Sequence, residues 1–109
     1  MIIEFSEKFV DDWFGECAKI IVDNIEVGII IYEINESIKI DRIWINPEYR
    51  RQKLGTKIIN QLMLTYPKKN LVGLSEPNQQ ACEFWKSLGA ELNRDNADWY
   101  IPFIIKGRG

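Results

Sequence analysis

Four cations, Arg50, Arg51, Lys53 and Lys57, fall within eight residues of a chain whose formal net charge is -2. They surround Gly55, between an apolar run ending at Ile45-Asn46-Pro47 and an apolar stripe of helical spacing. A helix that starts here leaves its first N–H groups unpaired and turns the positive end of its macrodipole toward the cations. Such a terminus attracts phosphate, and Gly55 lets a ligand or a neighbouring strand come close to the backbone. A solvated basic helix start would carry the same charges, so the run alone leaves both readings open. A nucleotide P-loop is disfavoured: Arg50 stands where that motif needs glycine, and Thr56 rather than lysine follows Gly55.

The rest of the reactive inventory is narrow. There is no histidine, and Cys17 and Cys82 are the only cysteines. Ser-His-Asp and Cys-His nucleophilic chemistry in their usual forms are therefore absent, and no metal site is expected. Proton transfer falls to a carboxylate, a tyrosine, a cysteine, a lysine or water. Asp41 is the leading candidate base, on the expectation that it shares a strand face with Ile43 and Ile45; Glu33 and Glu76 rank below it. An exposed surface aspartate is the plain alternative. The two cysteines read as reduced structural thiols rather than a disulfide framework.

Hydrophobic periodicity supplies the elements. Residues 2–5 read as a short strand. A short helix follows, capped by Ser6, with Phe9, Val10, Trp13 and Phe14 on one face and Gly15 at its end. Residues 17–22, 26–34 and 38–45 read as an antiparallel meander, turned at Asp23-Asn24 and at 35–37. In the third run Ile38, Ile40 and Trp44 are expected on one face, with Ile43 and Ile45 on the other, as for a central strand. Residues 51–66 read as a helix with Leu54, Ile58, Ile59, Leu62 and Met63 inward, ended by Pro67. Residues 71–75 form a buried strand. A second helix is capped by Asn78, faces Ala81, Phe84, Trp85 and Leu88 inward, and stops at Gly89. Residues 91–94 and 99–105 read as a hairpin about 95–98, with Pro102 demoting the last strand to an edge or bulge. The order β-α-β-β-β-α-β-α-β-β is of the α/β class.

With 109 residues the chain is expected to form one domain, and 46% hydrophobic content argues against disorder. No apolar run approaches the ~20 residues of a membrane span. Glu4 and Glu7 interrupt any signal-peptide core, so a cytoplasmic location is expected. A pI of about 5.2 argues against nucleic-acid binding.

Two segments together carry a family resemblance. Arg50 followed by Gly55 resembles the Q/R-x-x-G-x-G/A acetyl-CoA motif of the GNAT acetyltransferases, and Ile45-x-Pro47 resembles the hydrophobic-x-Pro before it. Asn78, Ala81, Phe84, Leu88 and Gly89 are similar to a later family segment, about 20 residues on. The resemblance runs from Cys17 to about Ile105, with the family's two early helices reduced to one. It implies a mixed, mostly antiparallel twisted sheet with a splayed central strand pair and helices on both faces. It implies direct transfer of acetyl from acetyl-CoA to an amine. The implied cofactor contacts are Ile43, Ile45, Arg50, Arg51, Gln52, Lys53, Leu54, Gly55, Thr56, Asn78 and Trp85, with Asp41 as candidate base. Two residues depart from the pattern. Lys53 replaces the first motif glycine, which a negative φ would tolerate and a positive φ would strain. Trp85 stands where the family often has a tyrosine that protonates the departing thiolate, and an indole is no useful acid. The acceptor stays open among protein lysines, N-termini and small amines, and the oligomeric state stays open with a homodimer among the options. A catalytically weak or inactive coenzyme A-binding module is the alternative, and a nucleic-acid-binding domain ranks below it.

Overall fold

The structure, a computed structural model, describes residues 1–96 and 99–108. The N-terminal third is a sheet built around β3 (Gly15–Val22). β1 (Ile3–Phe5) lies antiparallel to the end of β3, and β2 (Phe9–Asp11) lies antiparallel to its start, with Phe9 opposite Cys17. The helix expected over Phe9–Phe14 is therefore a strand and a tight turn. Its cause is local: Asp11 Oδ1 accepts from the N–H groups of Trp13 (2.8 Å) and Phe14 (3.1 Å), and Gly15 takes φ 71°. An Asx turn of this kind offers the backbone an alternative to helix. The spacing of Phe9, Val10, Trp13 and Phe14 fits it as well as it fits a helical face.

β4 (Ile25–Ile34) and β5 (Ile38–Ile45) complete the meander. Asp23 and Asn24, both at positive φ, make the β3–β4 turn, as the short polar pair anticipates. β5 gives way to Asn46, whose side chain accepts from Glu48 N–H and starts a 3-10 turn over Pro47–Gln52. α1 (Leu54–Thr65) follows, so the helix read from residue 51 begins three residues later. β6 (Leu71–Ser75), α2 (Gln79–Ser87), β7 (Glu91–Leu92) and β8 (Ile101–Ile105) close the chain. The turn expected at 95–98 falls partly outside the described residues, and Arg94–Asn96 form a short 3-10 turn.

The strand order is β1-β3-β4-β5-β6-β8-β7, with β2 on β3 off that path. Every pairing is antiparallel except β5–β6. β8 is not an edge strand: it lies between β6 and β7. Pro102 lies opposite Leu74 of β6, but its carbonyl accepts from Asn93 N–H on the other side, so its nitrogen also points away from β6, to a position that the β7 ladder at Phe103 and Ile104 does not reach.

Ile20, Ile30, Ile38, Leu54, Ile58, Ile59, Leu62 and Leu71 are almost fully buried and join α1 to the sheet in one core. Each such side chain contributes roughly 1.5–3 kcal/mol by leaving water. On α2 the deepest residue is Cys82, while Phe84 and Trp85 are half-buried. Asn78 caps α2 by accepting from Ala81 N–H at 2.7 Å, and Gly89 at φ 88° follows its end.

Two features of β5 shape the molecule. The parallel ladder to β6 lasts only from Ile38 opposite Leu71 to Ile40 opposite Gly73. A Cβ on Gly73 would stand 2.9 Å from the Ile40 carbonyl oxygen and 2.8 Å from the Phe103 ring, so only glycine fits where the strands last touch. The second feature is a bulge. Tyr32 pairs with Ile40 and Ile31 with Arg42, so Asp41 is an extra residue on β5. The bulge shifts the alternation. Ile43 and Ile45 continue the core side of Ile38 and Ile40, and Asp41, Arg42 and Trp44 fall on the exposed side. The expected division, with Trp44 beside Ile40 and Asp41 beside Ile43, is overturned for that reason.

Candidate functional site

A cleft of about 680 Å³ opens where β5 and β6 part. The end of β5 from Ile40 to Ile45 forms one wall. Leu74 of β6, Glu76 just after it, Ala81, Phe84 and Trp85 of α2, and Tyr100 form the other. Arg50, Lys53, Gly55 and Thr56 close its head at the start of α1.

The head is built from local chemistry. Arg50 Nε donates to the Ile45 carbonyl at 2.7 Å, and its guanidinium lies 5.9 Å from the Trp44 ring centroid. These contacts tie the cation to the strand end. Lys53 is in the left-handed conformation, φ 55° and ψ 32°, where it ends the 3-10 turn and starts α1. The lysine is therefore in the strained of the two geometries open to it. Lys53 at the N-cap makes no side-chain cap hydrogen bond, and among the described residues no other side chain caps α1, so its leading N–H groups stand at the cleft without an intrahelical acceptor. Gly55 has a packing reason as well: a Cβ there would meet the Phe84 ring at 3.1 Å, so α2 sits close against the turn.

The residues singled out from sequence separate into groups. Asp41, Ile43, Ile45, Arg50, Lys53, Gly55, Thr56 and Trp85 all line the cleft. Arg51 and Gln52 belong to the 3-10 turn leading into it. Leu54 is 1% exposed, so only its backbone can serve the site. Asn78 does not line this cleft; it holds α2 in place and borders two smaller hollows beside it. Trp85 stacks on Phe103 with centroids 4.1 Å apart and meets Phe84 edge-on, so its ring is part of a fixed aromatic wall. Asp41 is half-exposed and 3.9 Å from Lys39, a surface pair of small energetic weight.

Sequence reasoning missed Arg42, Trp44, Leu74 and Tyr100 as cleft residues. Arg42 and Trp44 were hidden by the bulge, and Tyr100 by a β6–β8 pairing that is distant in sequence. Among the described residues Tyr100 is the one phenol lining the cleft. Cys17 and Cys82 are free, buried and outside it. Burial, and secondarily the charge of Asp11, pushes the Cys17 thiol up from its ordinary range, which suits a structural role. Among the described residues no cluster could hold a metal ion, and no helix is long and apolar enough to cross a membrane.

A mixed sheet splayed beside an uncapped, cationic helix start is an architecture for gripping an anionic ligand by its backbone and charges. The match to the acetyltransferase (GNAT) family model spans residues 4–90, and the chain belongs to that family. Solved structures agree on the fold. A Thermoplasma acidophilum PaiA N-acetyltransferase in complex with coenzyme A is 17% identical (TM-score 0.64), over 83% of this chain and 59% of its own. A Bacillus subtilis acetyltransferase in complex with CoA is 10% identical (TM-score 0.70), over 95% of this chain and 97% of its own. Arabidopsis thaliana Naa50, in complex with the bisubstrate analogue CoA-Ac-MVNAL, is 14% identical (TM-score 0.62), over 81% and 70%. This chain thus spans about three fifths of the Thermoplasma enzyme's length. No curated protein sequence matches it.

Proposed function

We propose that this protein is an acetyl-CoA-dependent N-acetyltransferase acting on a primary amine. The observation that carries the reading is the uncapped start of α1, flanked by Arg50 and Lys53, at the head of the cleft between β5 and β6. A pyrophosphate fits that donor set: main-chain N–H groups at the positive end of a helix, plus two cations. Leu54, Gly55 and Thr56 would offer the N–H groups, with Arg51 and Gln52 shaping the turn. Acetyl-CoA, when bound, supplies an acetyl group activated as a thioester.

The chain's own contributions follow from position. Past Ile40, β5 has no strand partner on its β6 side, so main-chain groups from Ile43 to Ile45, other than the Ile45 carbonyl that Arg50 occupies, are open to a ligand lying along the strand. An N–H aimed at a developing oxyanion there would lower the barrier. Holding amine and acyl carbon together supplies much of the remainder. An ammonium must lose its proton before it attacks, and Asp41, on the cleft wall, is the group we assign to receive it, directly or through water. Trp85 supplies a wall and no proton. The thiol that departs is acidic enough, with a pKa of about 8.5, to leave unassisted at a modest rate.

Trp85 in place of a phenol also supports a second reading, coenzyme A binding without turnover. One titration series separates the two. Acetyl-CoA should raise Tm, Arg50→Ala should shrink that rise, and release of free thiol should require an added amine. A rise in Tm with no thiol release for any amine favours the second reading. No rise at millimolar acetyl-CoA overturns both.

A further inference from the structure

Arg42 is a cation that the cofactor reading does not use. It lies on the exposed side of β5, lines the cleft, and has no carboxylate within ion-pair distance among the described residues. It is nonetheless held in place. Its guanidinium sits 5.9 Å from the centroid of Phe14, and Phe14 in turn lies against Trp44 with centroids 6.4 Å apart. Phe14 itself is fixed by the Asx turn at Asp11. A guanidinium at this distance from a ring keeps its capacity to donate, because its contact with the ring uses none of its N–H groups.

The bulge gives Arg42 its neighbour. Asp41 and Arg42 together oppose the single residue Ile31, so a carboxylate and a guanidinium stand side by side on the exposed side at one wall of the cleft. The charged group nearest to Asp41 is Lys39, on the same strand. An adjacent acid and guanidinium with separate partners match a molecule bearing an ammonium and a carboxylate close together. Arginine is the residue best shaped for the second of these, since it can grip a carboxylate through two parallel N–H donors.

We propose that Arg42 selects the acceptor: the amine this protein acetylates carries a carboxylate next to it, bound by Arg42 while Asp41 faces the amine. The proposal rests on the acetyltransferase reading above. Two sources provide that chemistry, a free amino acid and a peptide whose first residues include an aspartate or glutamate side chain.

The test measures thiol release by the full chain with acetyl-CoA and matched acceptors. One arm compares phenylalanine with phenylalaninamide. The other compares an Asp-containing N-terminal peptide with its Asn counterpart. With kcat/KM expressed per unprotonated amine, the carboxylate form of the favoured source should exceed its amide by about tenfold to a hundredfold, the range of a charge-assisted contact. Arg42→Gln should bring that ratio near one, and Arg42→Lys should restore part of it. The Tm rise on adding acetyl-CoA should persist in both variants, showing that fold and donor site are intact. Equal rates for acid and amide in both arms, a ratio unchanged in Arg42→Gln, or no turnover of any acceptor while acetyl-CoA still raises Tm would each overturn the assignment of Arg42. Loss of the acetyl-CoA effect in the unaltered protein would instead overturn the reading beneath it.

Discussion

Lys53→Gly should stabilise the free protein and weaken its grip on acetyl-CoA at the same time. Lys53 sits at φ 55°, where an L-residue costs roughly 1–2 kcal/mol relative to the right-handed region. Glycine removes that cost and gives back about 0.4–1 kcal/mol through its freer unfolded chain. Lys53 also places a cation at the positive end of the α1 macrodipole, so its removal adds a few tenths of a kcal/mol at an exposed site. The sum is a gain of about 1 kcal/mol, or roughly 4–8 °C in Tm for a domain of this size. The ligand effect runs the other way. An exposed cation–phosphate contact supplies up to about 1 kcal/mol, so Kd for acetyl-CoA should rise up to about fivefold. Lys53→Ala separates the two terms, because alanine keeps the backbone strain while losing the charge; it should share the higher Kd without the larger gain in Tm. Scanning calorimetry with and without acetyl-CoA, at low and high salt, reads both quantities. A Lys53→Gly protein less stable than the parent, or one whose Kd is unchanged at low salt, would refute the account of this residue as strain retained for charge.

Leu62→Ala, at a site 2% exposed beneath the sheet, should cost about 2–5 kcal/mol in chemical denaturation, and a loss below about 0.5 kcal/mol would contradict the packing of α1. The rate of acetyl transfer should rise with pH to a plateau as the amine loses its proton, with no descending limb. Trp85→Tyr should add such a limb by placing a phenol in the aromatic wall. A bell-shaped profile in the parent that Tyr100→Phe turns into a simple rise would place the acid at Tyr100 and refute the unassisted departure. Cys17 holds its proton above the ordinary value of 9.0, chiefly through burial. The unfolded chain releases that proton first, so stability should fall as pH climbs past about 9. Tyr32, raised by burial and by Tyr66, acts in the same direction from about 10 upward. The slope of Tm against pH above 9 should therefore be shallower in Cys17→Ala than in the parent, and identical slopes would show that Cys17 is not the group responsible.

What the sequence disclosed, and what it withheld, divides along the range of the interactions involved. β5 is bounded by a polar turn before it and Pro47 after it, and its limits are readable from those residues alone. The Asn78 cap and the Gly89 stop are equally local, each a matter of one side chain or one φ angle. The cationic turn could be placed at the start of a helix because Pro47 and the stripe from Leu54 fix both of its ends. Where two segments compete for one spacing, local evidence fails. Phe9, Val10, Trp13 and Phe14 suit a helical face, and only the pairing of β2 along β3 decides against it.

The bulge at Asp41 shows why the second half of the site was out of reach. Nothing in the order Ile40-Asp41-Arg42-Ile43 states that β4 will give one residue where β5 gives two. Strict alternation assigns Asp41 to the side of Ile43 and Arg42 to the side of Ile40, and so separates the two charges. One extra residue in the ladder puts both on the exposed side and returns Ile43 and Ile45 to the core side of Ile40. A one-residue change in register exchanges the faces of everything after it, so the same apolar residues that carried the fold reading correctly gave the wrong faces for the charges between them. The splay has a like origin. It begins where Gly73 lets the Ile40 carbonyl approach, a contact between residues more than thirty positions apart. The end of the cleft assigned here to the acyl donor lies on one continuous segment and is written in that segment. The end assigned here to the acceptor is assembled from β5, the turn before β3, and the β6–β8 pair. Its chemistry appears only once those pairings are in place.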